Sequence, residues 1–130
     1  MIKDEEIKAA HTRIQSGADM AQYHQELKTL GVIRYVVHSG AGTTVYTGKH
    51  GDTLTTEPRY ETIGVADIPS KVALKQALHA QQKGQTDYAA FCHQMAEAGI
   101  AKWVINLRTM QVVYLDMGGY EVLAERVAGR

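Results

Sequence analysis

The sequence predicts an α+β fold made of two like halves in tandem. Each half reads helix, helix, strand, strand, strand, and the two are related by an approximate twofold axis. About six mainly antiparallel strands form one sheet packed with four helices. Three observations predict this. Residues 31–37 read GVIRYVV, and residues 99–105 repeat the pattern as GIAKWVI. Upstream of both, apolar residues recur at three- and four-residue steps, the stripe that a helix buries. Downstream of both, Val45-Tyr46 answers Val113-Tyr114 and Gly51 answers Gly119, which leaves connections too short for parallel neighbours. The expected repeats span 4–65 and 70–127 of a single domain of 130 residues.

The first helix is expected over 4–16. Ile7, Lys8, Ala10, Gln15 and Gly17 there correspond to Leu74, Lys75, Ala77, Gln82 and Gly84 in the second copy. The second helix starts at Asp19, whose carboxylate can accept from the unpaired amides of the first turn. Gln22, three residues on, suits a capping box. Met20, Tyr23, Leu27 and Leu30 form its apolar face, and Gly31 closes it in the left-handed conformation. Strands follow near 32–38, 43–48 and 59–65. In the second copy Pro69 or Ser70 opens a helix over 70–83. Asp87 caps the next, whose face is Tyr88, Phe91 and Met95 and whose end is Gly99. Strands are expected over 100–107, 110–116 and 120–126. Aligning Tyr60-Glu61-Thr62-Ile63 with Tyr120-Glu121-Val122-Leu123 gives the first copy about eight extra residues, GDTLTTEP, before its third strand.

A half of about 65 residues has a marginal core, so the two are expected to share one interior. Strands 32–38 and 100–107 are apolar on both alternating faces, which calls for cover on both sides. If helices lie on one face only, a second copy of the chain is the simplest cover for the other, and a homodimer is expected.

Lys plus Arg equals Asp plus Glu at 14 each, so the net charge is zero. That balance speaks against nonspecific nucleic-acid or anionic-membrane binding and mildly favours self-association. Cys92 is the only cysteine, so no internal disulfide is expected. The N-terminus, MIKDEEIKAA, lacks the apolar core of a signal peptide, and no apolar run approaches a membrane span. The expected location is the cytoplasm.

The segment DYAAFCHQMAEAGIAKWVINLRTMQVVYLDMGGYEVLAE resembles the signature of the YbcV-like bacterial and phage family of unknown function. The likeness rests on Asp87-Tyr88, Phe91, the Ala-Gly-Ile run ending at Ile100, Lys102-Trp103, Tyr114, Asp116, Gly119 and Glu125. It implies a small α+β domain with no established activity. Some members bear the label "phage envelope protein", which names no mechanism. Relatives commonly carry an aspartate where this chain has Asn106 and a second cysteine near Val112-Val113, and both are absent here.

Six residues stand out as candidate ligand-binding groups: Arg34, His38, Lys102, Trp103, Tyr114 and Asp116. Arg34 and Lys102 hold the same place in the two copies, each beside an aromatic, and could line a cleft for an anion. The structural alternative pairs each with an acid on a neighbouring strand, such as Glu61 or Glu121. Tyr46 and Tyr114 recur on the second strands, where a ring fills a core or a pocket wall. Asp116 shares the Tyr114 face or opens the turn before Gly118-Gly119. Cys92 and His93 are adjacent on a helix and point about 100° apart, so they do not form a thiol–imidazole pair. Cys92 reads as a small buried apolar group. The six histidines have no zinc-ligand spacing, and no metal or cofactor is expected. Residues 39–44, SGAGTT, lead into a strand and lack the lysine of a phosphate loop, so they read as a hairpin turn.

The expected function is a noncatalytic module that binds a small molecule or a partner protein. The rivals are a small enzyme with its site at the junction of the copies and a phage-borne accessory protein acting on a host protein.

Overall fold

The computed structural model describes residues 2–14 and 19–127. Its elements run α1 (Asp4–Thr12), α2 (Met20–Thr29), β1 (Val32–His38), β2 (Thr43–Gly48), β3 (Thr53–Thr55), α3 (Lys71–Gln82), α4 (Tyr88–Glu97), β4 (Lys102–Asn106), β5 (Gln111–Leu115) and β6 (Glu121–Arg126). The fold is α+β, with the helix, helix, strand, strand, strand order written twice. Gln15 and Gly17, and with them the expected end of the first helix, lie outside the described residues.

One antiparallel sheet carries all six strands in the order β3-β2-β1-β4-β5-β6. The centre shows how the halves meet. In the repeat Val36 corresponds to Val104, Arg34 to Lys102 and His38 to Asn106. The ladder pairs Val36 with Val104, Arg34 with Asn106 and His38 with Lys102. Exchanging the halves returns the same set of pairs, as an axis through Val36 and Val104 requires. The next strands continue the correspondence. Tyr46 faces Tyr35 and Leu54, and Tyr114 faces Trp103 and Leu123.

That register corrects one expectation. The third strand of the first half is not 59–65 but Thr53–Thr55, inside the stretch taken as an insertion. The turn explains it. The Gly48 amide donates to the Asp52 carbonyl (2.8 Å), so the chain reverses at once and Thr53 lands opposite Thr47. The extra length follows the strand instead. Residues 56–69 return over the β1–β2 hairpin through single bonds: Arg59 N to Gly42 O (3.0 Å) and Ile63 N to Gly40 O (2.9 Å). They then reach the end of α4, with Ala66 N on Ala96 O (3.0 Å) and Ser70 N on Ala98 O (2.8 Å).

Helix starts differ between the halves. The Asp87 backbone is extended, which lets its carboxylate swing back to accept from the Ala90 amide (2.8 Å). Ser70 caps α3 in the same way, through Ala73 N (3.1 Å). Asp19 already has helical backbone angles and does not cap α2 with its side chain. The capping box expected of Gln22 is also not formed; its amide reaches forward to Glu26 (3.3 Å). Both closing glycines are left-handed, Gly31 at φ 92° and Gly99 at φ 83°. Gly99 has a second constraint: a Cβ there would lie 2.6 Å from Pro69 Cα.

Burial alternates along the central strands. One sheet face carries Tyr35, Val37, Tyr46, Trp103, Ile105, Val112 and Tyr114 into a core shared with buried residues of all four helices. The other face has no helix against it. Its central row, across all six strands, is Thr55, Val45, Val36, Val104, Val113 and Ala124, with the four valines half-buried. Cover on both faces is therefore absent within the described residues. None of their helices is long and apolar enough to cross a membrane.

Candidate functional site

Strand alternation and helix periodicity stack four corresponding positions on the helix-covered side of each half. In the first half they hold Tyr23, His24, Tyr35 and Tyr46. In the second they hold Phe91, Cys92, Trp103 and Tyr114, and all eight side chains are buried. Where the two stacks approach each other, a cavity of about 100 Å³ remains. His24 and Tyr35 wall it from one half, and Phe91, Trp103, Tyr114 and Glu125 from the other, under Leu78 and Gln81 of α3. Gln82 and Arg126 are the exposed members of the wall and mark its open side.

The rings are held by each other. Phe91 meets Trp103 edge-on at 5.7 Å, and Trp103 leans over Tyr114 at 6.5 Å. Two polar pairs interrupt the apolar wall. His24 Nε2 and the Tyr35 hydroxyl bond at 2.7 Å. The Tyr114 hydroxyl donates to Glu125 Oε1 at 3.3 Å. Glu125 reaches this face because it stands opposite Val112, one step from the pair that Leu123 makes with Tyr114. Burial pushes the Tyr35 phenol well above the ordinary tyrosine value, and the neighbouring Tyr46 and Tyr114 add to it. Burial also raises Tyr114, with the Glu125 carboxylate contributing. Both phenols keep their protons at neutral pH, so each can donate one hydrogen bond.

The chain's single thiol, Cys92, corresponds to His24 but is held protonated: burial pushes it up to about 11, against hydrogen bonds from Tyr60 and Tyr88 that pull it down. His93 turns away, its Nδ1 on the Ala89 carbonyl (2.7 Å), as adjacency on a helix requires. Among the described residues no three His, Cys, Asp or Glu side chains converge as metal ligands would.

The six residues singled out from sequence separate into three places. Trp103 and Tyr114 line the cavity. Arg34, His38 and Lys102 stand on the opposite, helix-free face, with His38 directly across from Lys102. Burial lowers the His38 pKa, and the Lys102 charge lowers it further. The expected ion pairs of Arg34 and Lys102 with Glu61 or Glu121 are not made. The ion pairs among the described residues are Lys8–Asp4 and Arg13–Glu26. Strand pairing places Arg34 beside Thr47 and Asn106, and Lys102 beside His38 and Leu115, so no acid stands directly opposite either cation. Asp116 belongs to a turn, its Oδ1 accepting from Gly118 N (3.0 Å) and Tyr120 N (2.9 Å). Glu125 was missed as a site residue. Its signal was available in the two-residue alternation Leu123, Glu125, which shares a face with Tyr114.

The model of a family described as a protein of unknown function, DUF1398, matches residues 8–126. Among curated proteins, none matches the chain.

Proposed function

The chain belongs to the DUF1398 family, whose description carries no activity, and on geometry we propose that it is a noncatalytic ligand-binding domain with its site in the junction cavity. The observation that carries this reading is a cavity walled by both halves, with four aromatic rings in its wall and two hydrogen-bonded pairs, His24–Tyr35 and Tyr114–Glu125, as fixed polar groups. The chain's single tryptophan, Trp103, is part of that wall. A ligand should therefore shift or quench intrinsic fluorescence and raise the melting temperature together. A metabolite panel that changes neither at millimolar concentration defeats the reading. The enzyme alternative draws less support, since Lys102 and His38 lie across the sheet from Tyr114. The accessory-protein alternative rests on the phage label alone and draws on no feature of the fold.

The row of half-buried valines supports a second reading, that two copies pair through the helix-free face. Light scattering should then give twice 14.3 kDa at micromolar concentration, and Val36→Lys should return the monomer. Such pairing sets Arg34, His38 and Lys102 near the same residues of the mate, so it should tighten as salt rises. A monomer at every salt concentration rules it out. We also read the halves as one domain descended from an internal duplication, which the self-matching register of β1 and β4 supports. A synthetic chain carrying 70–127 twice should fold with a cooperative transition; a molten chain counts against that origin.

A further inference from the structure

Resting on the cavity reading above, we propose that the cavity takes the head of a small alkylated organic cation, a methylated ammonium. Tyr35, Phe91, Trp103 and Tyr114 present an aromatic enclosure, and ring faces carry the negative potential that attracts diffuse cations. The carboxylate of Glu125 adds a full negative charge on the same wall. Its contact there is the Tyr114 hydroxyl, and no basic side chain of the described residues pairs with it. Arg126 adds to the rim, but alternation along β6 directs its side chain to the helix-free face, opposite Gln111. The wall thus combines rings with an acid that has no cationic partner.

Size narrows the ligand. A cavity of about 100 Å³ is smaller than the roughly 150 Å³ space that holds benzene. It suits a compact group of about five heavy atoms, as in a trimethylammonium head with its first methylene. A bare ammonium ion would lose its hydration shell and gain few hydrogen bonds, because His24 and Tyr35 already bond each other and Tyr114 already bonds the one carboxylate. A methylated cation has little hydration to lose and meets the rings through its methyl groups.

The test is Trp103 fluorescence and thermal shift with choline and with its uncharged isostere 3,3-dimethylbutanol, at constant ionic strength. Choline should saturate in the millimolar range or below, and the isostere should bind at least tenfold more weakly. Glu125→Gln should reduce choline affinity about tenfold and leave isostere binding unchanged. Equal binding of choline and the isostere by the wild-type chain overturns the cation inference and leaves the cavity reading standing. No response to either also overturns the cation inference, while the cavity reading is decided by the metabolite panel. The wild-type comparison decides the matter even where Glu125→Gln fails to fold.

Discussion

The two halves use one backbone plan to build unlike interiors. The first buries a polar network: the Tyr23 and Tyr46 hydroxyls bond each other, and His24 bonds Tyr35. At the matching places the second half has Phe91, Cys92, Trp103 and Tyr114, whose three rings are joined by edge-on and tilted contacts. Outside that stack, His11 of α1 matches Leu78 of α3. The contrast teaches that a shared frame fixes where side chains go but leaves open what holds them. In the first half specific donors and acceptors must be met, so a lost partner leaves a buried polar atom exposed to no water. In the second half shape decides, and lost volume leaves a void.

The largest test of the contrast lies at the closing glycines. Both are left-handed, and an alanine is strained in either place. At Gly31 a Cβ meets nothing within 4 Å, so Gly31→Ala should cost about 1–2 kcal/mol from conformation alone. At Gly99 the new atom meets Pro69 backbone at 2.6 Å and the Ile68 carbonyl oxygen at 2.8 Å. Neither is a flexible tip, so Gly99→Ala should cost about 4 kcal/mol or prevent folding. Urea melts measure both. Equal midpoints for the two variants deny that the segment 56–69 is pinned against α4.

Next in size are the stacked aromatics. Phe91→Ala should lose about 3–5 kcal/mol, since the Trp103 ring and the helix above it cannot collapse fully into the space. Tyr23→Phe keeps the ring and removes one hydroxyl, so it should lose about 1 kcal/mol through the Tyr46 oxygen left behind. A larger loss for Tyr23→Phe than for Phe91→Ala reverses the assignment of polar and packing-dominated halves.

Much of the fold was legible because it follows from spacing. The caps at Asp87 and Ser70, the glycine stops and five of the six strands depend on local chemistry that a sequence displays. The third strand of the first half did not. Residues 59–65 have the better strand composition, and Thr53-Leu54-Thr55 wins only because the turn at Gly48–Asp52 delivers it to the edge of β2. Asp116 was read from its glycine neighbours as a turn former and is one. The site was half legible. Trp103 and Tyr114 share a face with each other, but Arg34, His38 and Lys102 are one residue out of phase with them. In a strand that sends them to the other side of the sheet. His11 gave no sign at all, since its neighbours Tyr23 and Tyr88 come from other helices.

The last expected effect concerns that histidine and is read as a slope against pH. His11 sits edge-on between Tyr23 (5.6 Å) and Tyr88 (4.7 Å), and its buried Nε2 has no hydrogen-bond partner. Burial lowers its pKa from 6.5 to about 4, and the positive charge of Arg59 contributes. Above pH 6.5 the ring is neutral folded or unfolded, so its full contribution to stability is present. Between pH 6.5 and 4 the unfolded chain takes up a proton that the folded chain refuses, and stability falls as acid is added. Below about pH 4 both states are protonated and this loss levels off. The loss should be on the order of 2 kcal/mol, the full linkage value reduced for partial exposure of the side chain. His11→Leu installs the residue found at the matching place, Leu78, and should flatten the stability profile across that window in urea melts. A variant whose stability falls with acid as steeply as the wild type assigns the pH dependence to another group and removes His11 from the list of differences between the halves.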